Sequence, residues 1–233
     1  MTSSPPPNQG RSPWDVGRLV QTLDFFESIP VVSTLKAMFS GSQLPQPPQM
    51  DNGVLFDFSH PRSARSLDLM ALWGALDDVV MGGVSRSGLQ AGENAACFTG
   101  YVSTDNSGGF ASVRTRNFDP PLNLGTYQGL TLRLRGDGQR YKVFLRDRDG
   151  WDAVAYGLSF DTVPQAWITV AVPFSNLVPV FRARSQPDAK PLDPSSLRSL
   201  QLMLSKFEYD QALNPHFVPG PFCLEVQTIA AYR

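Results

Sequence analysis

The stretch WGALDDVVMGGVSRSG, residues 73–88, gathers groups that carry out chemistry in other settings. It holds adjacent carboxylates at Asp77 and Asp78, a Gly82-Gly83 turn, a hydroxyl at Ser85 and a guanidinium at Arg86. Paired carboxylates serve acid–base catalysis when they converge on one bond, and a serine serves as a nucleophile when a base stands beside it. The spacing meets neither condition. Consecutive residues of extended chain face opposite sides, so Asp77 and Asp78 do not cooperate. Ser85 has no histidine or lysine near it in sequence, and the chain holds two histidines in all, His60 and His216. What remains is an ordered loop, in which carboxylates cap backbone N–H groups, glycines allow positive φ and Arg86 turns back to a carboxylate. Such a loop can present Asp77, Asp78, Ser85 and Arg86 to a ligand or partner without catalysing a reaction. A hydrolytic pair remains open only across loops, as Asp77 with Asp105 or Glu208.

Three further clusters offer binding chemistry. Ser103, Thr104, Asp105, Asn106 and Ser107 precede Gly108-Gly109; they suit either oxygen ligation of a hard cation or a hairpin held by side-chain-to-backbone hydrogen bonds. Lys206, Glu208, Asp210, Asn214 and His216 alternate with Phe207, Tyr209 and Phe217, which reads as a long ordered loop of the kind that carries function. The third is GLTLRLRGDGQRYKVFLRD. There Leu130, Leu132 and Leu134 point one way and Thr131, Arg133 and Arg135 the other; beyond Gly136-Asp137-Gly138, Tyr141, Val143 and Leu145 oppose Lys142, Phe144 and Arg146. Read as a hairpin, this places Arg133, Arg135, Lys142 and Arg146 on one sheet face. That face is either a solvated surface or a binding surface for a polar or anionic polymer, with Trp151 and Tyr156 as stacking candidates.

The totals narrow the classes. Lys and Arg number 20 against 21 Asp and Glu, which removes the electrostatic ground for a non-specific nucleic-acid binder. Cys97 and Cys223, far apart and without CxxC spacing, are expected as reduced, buried thiols. No zinc, Walker, nucleophile-elbow or dinucleotide signature occurs, so no metal or cofactor is assigned. No apolar run reaches the ~20 residues of a membrane span, and the N-terminus lacks a secretory pattern.

The elements that must position these groups fall into four stretches. Residues 1–12 are rich in Pro, Ser and Asn and form a disordered tail. Residues 13–41 read as a helical arm: Ser12 caps, Pro13 opens the first helix, and Trp14, Val16, Leu19, Val20, Leu23 and Phe26 recur at helical spacing up to Pro30. A second short helix, VVSTLKAMFSG, follows. The arm either returns to the main domain, docks on a partner through Trp14, Leu19, Leu23 and Phe26, or lies on a membrane surface. Residues 42–53 carry three prolines and read as an extended linker. From residue 54 to 233, nine short alternating runs punctuated by Gly, Asp, Asn and Pro predict an antiparallel β-sandwich, with a capped turn at Asp193-Pro194.

LFDFS, WGALDDVVMGGVSRSGL, FTGYVSTDNSGGFASVRTR, GLTLRLRGDGQRYKVFLRD and LMLSKFEYDQALNPHFVPGPFCLEV, in this order over residues 54–233, resemble the CIA30 family, complex I intermediate-associated protein 30. The resemblance implies a galactose-binding-like jelly roll without agreed catalytic residues. Mitochondrial members are assembly factors of respiratory complex I. Plastid members, in which a dehydrogenase-like domain accompanies this one, are linked to photosystem II biogenesis and to a reaction-centre messenger RNA. The arm resembles that of cyanobacterial and plastid members. The expectation is a non-enzymatic assembly or scaffolding factor for a photosynthetic or respiratory membrane complex, cytoplasmic or peripheral on the thylakoid. It would contact a client subunit through the arm and through the loops bearing Asp77, Asp78, Ser85, Arg86, Asp105, Asn106, Lys206, Glu208 and Asn214. The alternative is a carbohydrate- or RNA-binding module acting through the arginine face.

Overall fold

In the computed structural model, which describes residues 15–26, 47–150 and 153–233, all nine expected runs are strands. Among the described residues the strands are β1 (Val54–Asp57), β2 (Trp73–Ala75), β3 (Arg86–Ala91), β4 (Ala96–Val102), β5 (Phe110–Thr115), β6 (Gly129–Arg135) and β7 (Arg140–Arg146), followed by β8 (Ala155–Asp161), β9 (Trp167–Pro173), β10 (Val178–Phe181), β11 (Arg184–Ser185), β12 (Ser199–Ser205) and β13 (Gly220–Tyr232). The first sheet has the order β3-β4-β13-β6-β9, with β1 also on β13; the second runs β11-β10-β8-β7-β12-β5-β2, and every pairing is antiparallel. The chain is thus a two-sheet β-sandwich. Its core joins the inward rows Leu130, Leu132 and Leu134, Tyr141, Val143 and Leu145, Leu200, Leu202 and Leu204, and Phe222, Leu224 and Val226. Each such side chain is worth about 1.5–3 kcal/mol when buried. A slip of one residue would turn a whole row to water, so these rows set the register.

The alternation within β6 and within β7 is as expected, but the two do not form a hairpin. β6 belongs to the first sheet and β7 to the second. The link turns a corner at Gly138 (φ +95°), where Asp137 accepts hydrogen bonds from the Tyr141 hydroxyl at 2.9 Å and the Cys223 amide at 3.2 Å. The apolar rows of the two strands therefore meet across the core instead of lying side by side. Arg133 and Arg135 consequently point out of one side of the sandwich, and Lys142 and Arg146 out of the other.

Other elements escaped the pattern. Helix α1 (Val16–Phe25) is the described part of the arm, and α2 (Ala64–Ala71) was not expected; its cap is Ser63, whose side chain accepts from the Ser66 amide at 3.2 Å. The turn at Pro194–Ser196 forms as expected, with Asp193 accepting from the Ser195 amide at 3.0 Å. The helix expected over VVSTLKAMFSG lies outside the described residues. So does the start of the proline-rich linker, but its end is tied down: Pro48 is buried and the Gly53 carbonyl accepts from the Ala231 amide at 2.7 Å. The cysteines also differ from expectation. Cys97 and Cys223 are half-buried on the outside of the first sheet and joined as a disulfide. Their 126-residue separation conceals an adjacency that the pairing of β4 with β13 creates.

α1 returns to the sandwich. Its Phe25 ring sits on Gly74 of β2, where a Cβ would come within 2.4 Å of the ring. The Arg116 guanidinium lies 4.1 Å from the Phe25 ring centroid and that of Arg114 lies 5.6 Å from the Phe26 ring centroid. At the other end of the helix, Arg18 donates to Asp77 Oδ2 at 3.1 Å and to the Ser85 carbonyl at 2.9 Å. Of the three readings of the arm, the described part follows the return to the main domain. Leu19, Leu23 and Phe26 are half-buried there, and Trp14 lies outside the described residues.

Candidate functional site

Asp77 and Asp78 open the 3-10 turn Asp78–Met81 and diverge, as consecutive residues must. Asp77 Oδ1 accepts from the Ser87 hydroxyl at 2.6 Å and the Ser112 amide at 2.9 Å, and its Oδ2 from the Ser87 amide at 2.9 Å and from Arg18. Asp78 Oδ1 accepts from the Ser85 amide at 3.0 Å; its Oδ2 accepts from the Ser85 hydroxyl at 2.6 Å and the Gly109 amide at 2.8 Å. Both Gly-Gly pairs now have a cause. A Cβ at Gly83 would lie 2.2 Å from the Asp78 carboxyl carbon, and one at Gly108 would lie 2.5 Å from its Oδ2. Each glycine lets a loop close on the carboxylate.

This corrects the reading of Asp77, Asp78 and Ser85 as groups facing a ligand. All three are buried, and their hydrogen bonds are internal. Burial raises the Asp77 carboxyl to about 6, against the pull of the Ser87 and Ser112 hydrogen bonds and of Arg18. Both oxygens of Asp77 are engaged by the donors of Ser87, Ser112 and Arg18. Arg86, Asp105 and Asn106 do stay at the surface, with Arg86 5.9 Å from the Tyr101 ring centroid and Asn106 in the left-handed region at φ 52°.

Residues 206–214 form the expected ordered loop, and it covers part of the second sheet's outer face. Asn214 is buried and closes it, donating to the Arg140 and Ser205 carbonyls at 2.9 and 2.8 Å while accepting from the His216 amide at 3.0 Å. Lys206 lays its stem on Gly109 and joins this loop to the acid hub. Glu208 accepts from the Ser159 hydroxyl and pairs with Arg140 at 3.4 Å. Tyr209 sits over Phe144 and Lys142, whose ammonium donates to the Phe207 carbonyl; burial brings Lys142 down to about 8. Asn214 and Lys142 are thus structural, while Lys206 and Glu208 keep half-exposed positions.

The expected arginine face divides between the sheets. On the first, Arg133 and Arg135 flank Trp167 at 5.7 and 5.3 Å from its ring centroid, and Arg135 pairs with Glu225. On the second, Arg146 is buried beside Arg114, a residue not among those expected at this face. Its signal was available in FASVRT, where Ala111 and Val113 alternate with Ser112 and Arg114. Arg146 stands opposite Ser199 and Arg114 opposite Gln201, on either side of β12. Each guanidinium crosses to the other's neighbour: Arg146 donates to Gln201 Oε1 at 2.9 Å, and Arg114 Nε to Ser199 Oγ at 3.3 Å. Burial lowers both, Arg114 to about 10 and Arg146 to about 9, and for Arg146 the neighbouring Arg114 charge adds to the effect. Tyr156 faces the core with its hydroxyl on the Lys190 carbonyl at 3.0 Å, so it is not a stacking platform. Trp151 lies outside the described residues.

Fold and clusters together define an antiparallel β-sandwich domain with a helix laid on its second sheet. Among the described residues, no group of three or more His, Cys, Asp or Glu is placed to hold a metal ion, and no helix is long and apolar enough to cross a membrane. Residues 56–226 match the model of complex I intermediate-associated protein 30, and the chain belongs to this CIA30 family. An uncharacterized Schizosaccharomyces pombe protein, C9E9.15, is 28% identical over 183 residues, covering 69% of this chain and 82% of its own length. Among solved structures, a family 11 carbohydrate-binding module of Clostridium thermocellum, in complex with a mixed-linked tetrasaccharide, aligns at 16% identity and a TM-score of 0.48. The alignment covers 69% of this chain and 88% of that one. An agarase, AgWH50C, aligns at 10% identity and a TM-score of 0.48, over 77% of this chain and 26% of its own. At this overlap the likeness carries nothing about what this chain binds.

Proposed function

We propose that this protein is a non-enzymatic assembly factor that holds a subunit or assembly intermediate of a membrane energy-converting complex, respiratory or photosynthetic. The family supports the class of activity; the cyanobacterial or plastid affinity of the arm, and with it a place at the thylakoid, belong to the proposal. The observation that carries the reading is a set of exposed apolar side chains on a rigid support. Met81 and Val84, 62% and 44% exposed, project from the turn that Asp77 and Asp78 hold in place. Arg18 fastens α1 beside that turn, and Val16 and Val20 of the helix are 60% and 50% exposed. Apolar groups held in water by a rigid loop and a rigid helix suit a protein partner. The client contact is thus moved from Leu19, Leu23 and Phe26, which face the sandwich, to the opposite side of the same helix.

The test is a mild-detergent capture with the tagged full-length chain, read by mass spectrometry and RNA quantification. Membrane-complex subunits should be recovered with the natural chain, and their yield should fall about tenfold with Met81→Ser and Val84→Ser combined, each lost apolar contact costing on the order of 1 kcal/mol. Equal recovery at an unchanged melting temperature would refute this surface as the contact. One observation favours a second reading, binding of carbohydrate or RNA: Trp167, half-exposed between Arg133 and Arg135, makes a stacking platform on the first sheet. RNA or glycan recovered without subunits, and lost with Trp167→Ala, would select it.

A further inference from the structure

Arg114 and Arg146 are 2% and 8% exposed, and neither forms an ion pair among the described residues. Buried guanidinium groups are ordinarily matched by carboxylates, because removing an unmatched charge from water is costly and placing two side by side costs more. Here the acids at the end of β7 are engaged elsewhere. The charge of Asp149 partly offsets the burial of Arg114, but the hydrogen-bonded link between them runs through Asn117, which accepts from Arg114 at 2.9 Å and donates to Asp149 at 3.1 Å, and Asp149 also pairs with Arg198 at 3.4 Å. Asp147 accepts from the Asp193 amide at 3.0 Å. A terminal nitrogen of Arg114 and the Nε of Arg146 are left buried with no hydrogen-bond partner.

We propose that Arg114 and Arg146 form a carboxylate-binding site on the outer face of the second sheet, filled by an acidic side chain of the client. The occupant rests on the function proposed above; the site itself does not. Each guanidinium keeps one donor atom for an incoming oxygen, the two groups stand on either side of one strand, and a carboxylate has two oxygens to offer. A phosphate would bring further oxygens to a floor with little left to offer them, since Ser112 and Gln201 are bonded to each other at 2.9 Å and Ser199 already accepts from Arg114. The way in is beneath the end of α1. The Phe26 ring covers Arg114 from 5.6 Å, and it presents only a quadrupole where an acid would present charge. The acidic side chain would take the place of the Phe26 ring, with the start of α1 still held by Arg18.

Two measurements on the full-length chain test this. In the first, melting temperature is followed as chloride is replaced at constant ionic strength by glutarate or by inorganic phosphate. Glutarate should raise it by several degrees in a saturable manner, as a ligand of the folded state does. Arg146→Met, which removes one of two like charges at similar volume, should melt no lower than the natural chain in chloride and should lose the glutarate response. A response no larger than that to chloride, or one that survives Arg146→Met, overturns the site; a larger response to phosphate overturns the assignment to carboxylate. In the second, Phe26→Glu supplies the carboxylate from within. It should raise the melting temperature, and the gain should vanish when combined with Arg146→Met. A lower melting temperature, as expected of a glutamate on an ordinary aromatic contact, overturns entry beneath α1. A glutarate response that stands while subunit capture ignores Arg146→Met overturns the client as occupant and leaves the Met81 and Val84 surface to be judged by its own variants.

Discussion

Asp77 with Asp78 and Arg114 with Arg146 are both pairs of like charge buried in one domain, and their surroundings differ in kind. The carboxylates are wrapped by loops, and all four of their oxygens accept hydrogen bonds. The guanidinium groups lie on a sheet face and keep donor atoms without partners. The contrast follows from geometry. A carboxylate accepts only, and a loop can fold its own amides and hydroxyls around it. A guanidinium carries five N–H donors in a fixed fork. The carbonyls of a sheet are already engaged in the ladder, so a flat face has few acceptors to give it. Satisfied charge marks a structural hub, and unsatisfied charge marks a place where something is still to arrive.

The contrast breaks most sharply at Asp78. Asp78→Ala would strand several buried donors at once, and chemical denaturation should show a loss of about 4 kcal/mol, each stranded donor costing about 1–3. A loss under about 1 kcal/mol would mean that the loops do not depend on the acid for their shape. A smaller effect is expected at Arg18, whose side chain is about a third exposed although its partner Asp77 is buried. Arg18→Ala should cost about 1 kcal/mol, screened as such a pair is, while amide exchange in α1 accelerates and that in the sheets does not. Exchange that rises everywhere would make the arm part of the core.

The smallest effect is one of pH. Burial places the Asp77 carboxyl at about 6 in the folded state, above its value of 3.8 when free. The folded chain therefore holds this proton more tightly than the unfolded chain. The stability contributed by the group is fully present below pH 3.8 and is lost as pH rises through about 6. Acidification from pH 7 to 5 should thus not lower stability on account of Asp77, yet it should neutralise the partner of Arg18. Lower protection factors in residues 16–25 at pH 5 than at pH 7, after division by the intrinsic exchange rate at each pH, are the expected signature, and Asp77→Asn should abolish the difference. Identical α1 protection factors at both pH values would show that the carboxylate stays ionised.

Strands of seven residues and more were legible because alternation survives in a single strand: β6, β7, β12 and β13 each show it. Which strands pair is a different matter, since a corner such as Asp137-Gly138 looks like a hairpin turn until the core behind it is known. The same blindness divided Arg133 and Arg135 from Lys142 and Arg146, and it hid the meeting of Cys97 with Cys223. The strands β2, β10 and β11 are short, and β3, RSGLQA, is as long as β5 but does not alternate apolar with polar residues. Around Asp77 the sequence pointed correctly to capping carboxylates and permissive glycines. It could not show that the caps face inward, because that depends on Gly108-Gly109 arriving from another loop. Arg114 was as readable as Arg146, but a lone arginine in a strand says nothing until the strand across from it supplies a second.

The pairing of β13 with β1, β4 and β6 bears on how the chain comes off the ribosome. Strands at residues 54–57, 96–102 and 129–135 all wait for partners at residues 220–232. At about 5–20 residues per second, roughly ten seconds separate the synthesis of β4 from that of its partner. Throughout that interval the edges and apolar rows of the first sheet are uncovered, and non-local pairing of this kind is slow to form. A member of a family associated with complex I assembly thus has a vulnerable interval of its own while it is being made.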